Sequence, residues 1–266
     1  MGHIEVGGLR VAYERVGQGP PLVLLHGAAE DGRVWRQQTT GLAGELTVVA
    51  WDEPGAGGSS DLPEGFSLAG YADALAALLE ALDLGPAHVA GVSWGGTVAL
   101  ELYRRRAELV ATLILIDTYA GWKGSLPADE VRARVTGVHR MLAAPAAEPA
   151  PVLPGLFAVG PPPELIPLLV DVAAGVRPAT LAQQVDIMAR TDLTALLPHV
   201  AVPTLLVWGR LDARSPLAVA HRFAAAIPDT TLVVVEGAGH LSHLERAEQV
   251  NDAIRDFCRA HPPAAG

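Results

Sequence analysis

Cysteine is almost absent: Cys258 stands alone, so no disulfide can form within the chain and nothing points to an oxidising compartment. Its place beside Phe257, in a stretch of helical periodicity, reads as packing and not reactivity. Long hydrophobic runs are missing too. Half of the residues are apolar, yet no run approaches the ~18 of a bilayer span, and Met1-Gly2-His3-Ile4-Glu5 lacks the basic segment and apolar core of a secretory signal. With residue 1 as the native start, the expectation is a cytoplasmic protein with no membrane span, a monomer or homodimer. Positive charge is scarce: 19 Lys and Arg face 29 Asp and Glu, for a net charge of -10. This excludes a nucleic-acid partner, since polyanion binding needs clustered cations. The one dense basic run, Arg104-Arg105-Arg106, falls at the end of an expected helix, where cations suit the helix dipole.

What is present is a chain long and apolar enough for one large α/β domain, organised around His88 to Leu100. An apolar, β-prone run ends in Gly91-Val92-Ser93-Trp94-Gly95 and passes straight into the helix-forming Ala99 to Leu102, so a serine sits where strand becomes helix. This is the pattern of a nucleophile elbow, which needs small residues two before and two after the serine; Gly91 and Gly95 supply them. A bare Gly-x-Ser-x-Gly is also compatible with a plain glycine-rich turn. The strand before it, the helix after it and the downstream acid and histidine argue otherwise.

Alternating strand and helix signals place this turn in a parallel sheet. Ile4 to Val6 and Leu9 to Glu14 read as a hairpin over Gly7-Gly8. Pro21 to Leu25 is continuously apolar, as a strand covered on both faces should be, and leads into His26-Gly27-Ala28-Ala29. That loop suggests an oxyanion hole: Gly27 permits an unusual turn, the Ala28 amide points at the substrate oxygen, and His26 braces the loop through its ring nitrogens. Leu46 to Trp51 is a strand ending in Asp52-Glu53-Pro54-Gly55-Ala56-Gly57-Gly58. No Gly-Lys-Ser/Thr follows and the dinucleotide spacing is absent, so this is not a phosphate loop; Asp52 is a loop-fixing carboxylate. Ser67 caps a helix through Leu82, and Leu109 to Ile116 is a further buried strand ending at Asp117. The expectation is an α/β fold with a mostly parallel, doubly wound sheet.

From 120 to 198 the pattern changes. This span holds 11 of the 21 prolines, among them Pro145, Pro149, Pro151, Pro154 and Pro161-Pro162-Pro163, and reads as short helices near Asp129–Leu142, Glu164–Ala174 and Thr180–Ala189. Leu153, Leu156, Phe157, Leu165, Leu168 and Met188 supply too much apolar surface for a linker. It is expected to be a lid inserted into a core of 1–119 and 199–266, above the carboxyl edge of the sheet. The sheet pattern resumes at Val202 to Gly209, followed by Arg210-Leu211-Asp212 and a helix start at Ser215-Pro216. Thr231 to Val235 then leads to Gly237-Ala238-Gly239-His240, and Ser242 with Glu245 has capping-box spacing before the final helix.

Ser93, Asp212 and His240 thus each follow an expected parallel strand, in the chain order of a hydrolase triad. Asp117 is a rival acid and His243 a rival base. With His26-Gly27, the serine turn, Gly209-Arg210-Leu211-Asp212 and Gly237-Ala238-Gly239-His240, the chain from about 20 to 258 resembles the α/β-hydrolase superfamily, in its small lidded branch. The resemblance implies a serine esterase or lactonase acting on a small-molecule ester or lactone, with the amides of Ala28 and Trp94 as oxyanion hole and neither metal nor cofactor. It leaves open a carbon-carbon bond hydrolase, a prolyl-aminopeptidase-like amidase, or a receptor of this fold with little turnover. No acidic anchor for a substrate amine is identified.

Overall fold

Continuously apolar strands need cover on both faces, and the helices supply it. The computed structural model describes residues 1–144 and 155–263; Pro145, Pro149, Pro151, Leu153 and Pro154 lie outside the described residues. β1 (Gly2–Val6) and β2 (Leu9–Val16) form an antiparallel hairpin over Gly7 and Gly8, both at positive φ. β3 (Pro21–Leu25), β4 (Thr47–Trp51), β5 (Ala87–Val92), β6 (Val110–Ile116), β7 (Thr204–Gly209) and β8 (Thr230–Val235) run parallel to one another. The eight-stranded sheet has the order β1-β2-β4-β3-β5-β6-β7-β8, with β2 antiparallel to β4.

The helices are α1 (Arg36–Leu42), α2 (Leu68–Ala81), α3 (Trp94–Arg105), α4 (Trp122–Ser125), α5 (Ala128–Ala143), α6 (Ile166–Ala174), α7 (Pro178–Arg190), α8 (Leu217–Ala226), α9 (Ser242–Glu245) and α10 (Ala247–Ala260). On one face, Leu75 and Leu79 of α2, Val98 and Leu102 of α3 and Phe223 of α8 pack with Val23, Val89, Leu113 and Leu206. On the other, Leu42 of α1 and Val250, Ile254 and Phe257 of α10 pack with Leu22, Val48, Ile114 and Leu205. Each such side chain contributes ~1.5–3 kcal/mol by leaving water. The sheet is therefore doubly wound, as expected. Ser67 caps α2 by accepting from the Gly70 amide at 3.2 Å. Cys258 is buried in the α10 core; Arg105 and Arg106 pair with Asp73, Glu80 and Glu108 on the surface, and Arg104 pairs with the buried Glu101.

Two local expectations are corrected. Ser215-Pro216 does not open α8 as N-cap and N1: Pro216 is the N-cap, and the Ser215 hydroxyl donates to the Thr118 carbonyl at 2.7 Å. Ser242 and Glu245 make no capping box, because the chain breaks at Arg246 and α10 starts afresh without a side-chain cap. Glu245 instead accepts from the amides of Gly239 (2.5 Å) and Ala158 (2.9 Å). The helix expected near Asp129–Leu142 is α5, which runs for 16 residues in the interval without proline between Pro127 and Pro145. Among the described residues no single helix is long and apolar enough to cross a membrane. The bent pair Pro163–Ala174 and Pro178–Arg190 reaches that length together, at 95°, but α7 buries Leu181, Val185, Ile187 and Met188 against the core.

Candidate active site

β3, β5, β6, β7 and β8 are parallel neighbours, so the residues that follow them meet at one edge of the sheet. Ser93 leaves β5 at φ 53 and ψ -116, a left-handed conformation that costs a non-glycine residue ~1–3 kcal/mol. Close approach explains the flanking glycines. A Cβ on Gly91 would stand 2.4 Å from the Gly95 backbone, and one on Gly95 would stand 2.2 Å from the Leu25 carbonyl oxygen. The Ser93 amide donates to Ile116 (3.0 Å) and its carbonyl accepts from the Thr118 hydroxyl, which holds the strained turn between β5 and β6.

The structure brings Ser93, His240 and Asp212 into one hydrogen-bonded line. His240 Nε2 lies 2.9 Å from Ser93 Oγ, and His240 Nδ1 lies 2.8 Å from Asp212 Oδ2. Asp212 Oδ1 accepts from the amides of Arg214 and Ser215, both at 2.8 Å, so the carboxylate is fixed at both oxygens. Burial pushes His240 below the ordinary histidine value, against the opposing pull of Asp212. A neutral ring with its proton on Nδ1 donates to Asp212 and leaves Nε2 to accept from Ser93.

The rivals are placed elsewhere. Asp117, at φ 47 and fully buried, accepts from the Gly209 amide at 2.7 Å and from the Ser242 amide and hydroxyl at 3.2 and 2.5 Å. It clamps the loops after β6, β7 and β8 together and makes no hydrogen bond to His240. Burial and the nearby charge of Asp212 push Asp117 well above the carboxylate range. His243 is buried against Trp35, with ring centroids 4.4 Å apart. Burial, then the charge of His240, pushes it down to about 3.

The loop after β3 forms the other wall. His26 Nδ1 donates to the Gly27 carbonyl (2.8 Å), and Nε2 accepts from the Glu53 amide (3.2 Å), so the ring spans two loops. The unusual backbone lies at Ala29, with φ 62, and not at Gly27 as expected. Gly27 is needed for space: a Cβ there would meet Glu30 Oε2 at 2.8 Å. Among the described residues neither the Ala28 nor the Trp94 amide donates a hydrogen bond. Asp52 accepts from the amides of Gly32 (2.8 Å) and Gly58 (2.7 Å), tying the loops after β3 and β4.

Sequence reasoning missed a second layer. Glu53 is buried, takes the Trp94 indole N–H at 2.7 Å, and takes another donor from Gln184 of α7. Burial holds its carboxyl well above the usual range. Glu30 accepts from the Gly27 amide at 2.8 Å, and burial pushes it up to about 7. Glu53 stood visibly beside Asp52, whereas Gln184 had no local signal. Above the line of three lies a cavity of about 1100 Å³, mouth included, where Ser93 and His240 meet Val138, Met141, Leu181 and Met188 from the helices between β6 and β7. Arg214 and Glu30 also line it. Among the described residues no group of three His, Cys, Asp or Glu is placed to hold a metal ion.

A doubly wound sheet with serine, acid and histidine gathered at its carboxyl edge defines an α/β-hydrolase fold. Residues 22–253 match the alpha/beta hydrolase family, and the chain belongs to it. It is 33% identical to a pimeloyl-[acyl-carrier protein] methyl ester esterase from Aromatoleum aromaticum, over 90% of this chain and 98% of that one. It is 32% identical to a dihydrolipoyllysine-residue acetyltransferase component of the acetoin cleaving system from Pseudomonas putida, over 97% of this chain and 69% of that one. A thermophilic esterase from Thermogutta terrifontis shares the structure with a TM-score of 0.87 and 32% identity, over 98% of this chain and all of that one.

Proposed function

We propose that the protein is a serine hydrolase that cleaves a small or medium, mainly apolar carboxylic ester or lactone through an acyl-enzyme. The observation that carries this reading is the hydrogen-bonded line from Ser93 Oγ through His240 to Asp212, at 2.9 and 2.8 Å, opening into an apolar cavity. Ser93 Oγ attacks the carbonyl carbon as His240 Nε2 takes its proton, and Asp212 stabilises the resulting imidazolium. The amides of Ala28 and Trp94 hold the oxyanion. The bond to the leaving alkoxide breaks as His240 returns the proton to it; water activated by the same ring then releases the acid and restores Ser93. Residues 120–198 act as a lid that selects the acyl group. The esterase relatives support the bond class without naming this chain's substrate.

A fluorophosphonate probe tests the nucleophile. The wild type should label and the folded Ser93→Ala variant should not; labelling that survives the change overturns the assignment. A panel of acyl esters and lactones tests turnover: a hydrolase passes many equivalents, whereas a receptor stalls after about one.

A further inference from the structure

Glu30 lines the cavity beside Ser93, and the steps above give it no task. One oxygen, Oε2, accepts the Gly27 N–H at 2.8 Å. Among the described residues, the other oxygen has no hydrogen-bond partner. A side-chain carbon added at Gly27 would stand 2.8 Å from Glu30 Oε2 and 3.6 Å from Ser93 Cβ, so carboxyl and nucleophile flank the same glycine. A carbonyl carbon bonded to Ser93 therefore has its neighbouring atoms within reach of Glu30. Ala28, Ala29, Val172, Val176 and Leu181 of the same cavity are apolar; besides Ser93, His240 and Glu30, its polar side chains are Tyr119 and Arg214.

The sign of the surroundings decides what Glu30 takes. Asp31 adjoins it in the chain, and the charge of Glu30 is felt at buried Glu53. Asp31 already has its cation, Arg33, at 2.7 Å. On the Glu30 side of the cavity, unlike the Arg214 side, an anionic group is repelled and a donor is matched. Burial pushes the carboxyl up to about 7, as expected of an acid withdrawn from water without a full set of donors.

Resting on the reading of Ser93 as nucleophile, we propose that Glu30 is the polar specificity residue of this cavity. It accepts a hydrogen bond from a hydroxyl or ammonium group on the carbon next to the scissile carbonyl. The preferred acyl groups are then 2-hydroxy or 2-amino acyl chains with an apolar remainder, and Glu30 is the acidic anchor that sequence reasoning did not find.

The test compares p-nitrophenyl esters of butanoic, 2-hydroxybutanoic and 2-aminobutanoic acid, each kcat/KM divided by the ester's own rate with hydroxide. The wild type should favour a donor-bearing ester by roughly tenfold or more, and Glu30→Gln should remove most of that ratio. Gln can still accept from the Gly27 amide but turns N–H groups toward the substrate. The ratio is the readout because a disturbed loop lowers both esters alike. Preference for the amino ester alone assigns a cation, and preference for both assigns a hydrogen-bond donor. A second arm needs no turnover: in Ser93→Ala, 3-hydroxy-2-pentanone should bind more tightly than 2-pentanone, and adding Glu30→Gln should equalise them. Esterase activity surviving in Ser93→Ala would overturn the reading of Ser93 as nucleophile alone. Equal ester ratios in wild type and Glu30→Gln, with equal ketone affinities, would overturn the role of Glu30.

Discussion

The floor and the roof of the cavity are built by different rules. In the floor, α3 buries ten of its 12 residues, and Ser93, His240, Asp212 and Asp117 are held by short hydrogen bonds to neighbouring strand ends. In the roof, α5 buries only Val131 among 16 residues and α6 only Val172 among nine. A floor group cannot move without unseating its neighbour, whereas a side chain of α5 or α6 moves at the cost of its own few contacts; α7, whose Leu181, Val185, Ile187 and Met188 are buried, joins the two layers. On the proposed reading, chemistry lies in the dense layer and choice of substrate in the thin one.

That division makes graded predictions. Ser93→Ala should lower esterase kcat by roughly 10⁴-fold or more, since the covalent step has no substitute; steady-state kinetics on a checked, folded variant decide it. Asp212→Asn should lose on the order of a thousandfold at neutral pH, because the amide leaves the imidazole in the wrong tautomer. If Asp117→Asn proved the dead variant instead, the acid would be misassigned.

In the roof, Met188→Ala should shift the preferred acyl length upward by about tenfold in relative kcat/KM, the worth of one or two methylenes in an apolar pocket. An unchanged profile across a chain-length series would contradict a selecting roof. Asp117→Asn should cost at most about tenfold in turnover but ~1–3 kcal/mol in stability, because one of its clamped donors loses its acceptor; urea titration reads this.

The smallest change concerns acid. His243 sits near 3 when folded and near the usual ~6.5 when unfolded. Between those values the unfolded chain binds the extra proton, so stability is full above about 6.5 and falls as the pH drops toward 3. His243→Leu should flatten that decline in thermal melts while changing little at pH 7. The kcat/KM profile should separately rise through a midpoint below the ordinary histidine value, because burial lowers His240.

Much of the fold was legible because the central strands are largely apolar runs, closed by His26, Asp52, Ser93, Asp117, Gly209 and Glu236. The positions of Ser93, Asp212 and His240 followed from those closures. What escaped notice depends on contacts across the chain. Ser215, Ser242 and Glu245 are the right residue types for helix caps, yet each is engaged by a distant loop. Local spacing cannot distinguish a cap from a tertiary clamp. The extent of α5 was legible, because the positions of the prolines leave one clear interval between Pro127 and Pro145.

The hydrogen bond from Gln184 to Glu53, and from there to the Trp94 indole, also bears on how such proteins recombine. The inserted segment is not a detachable cassette. A chimera that imports 120–198 with an apolar residue at 184 leaves a buried carboxyl short of a donor, directly behind the residue that follows Ser93, at a cost of about 1–3 kcal/mol. Positions 53 and 184 must therefore travel together when roofs are exchanged between family members.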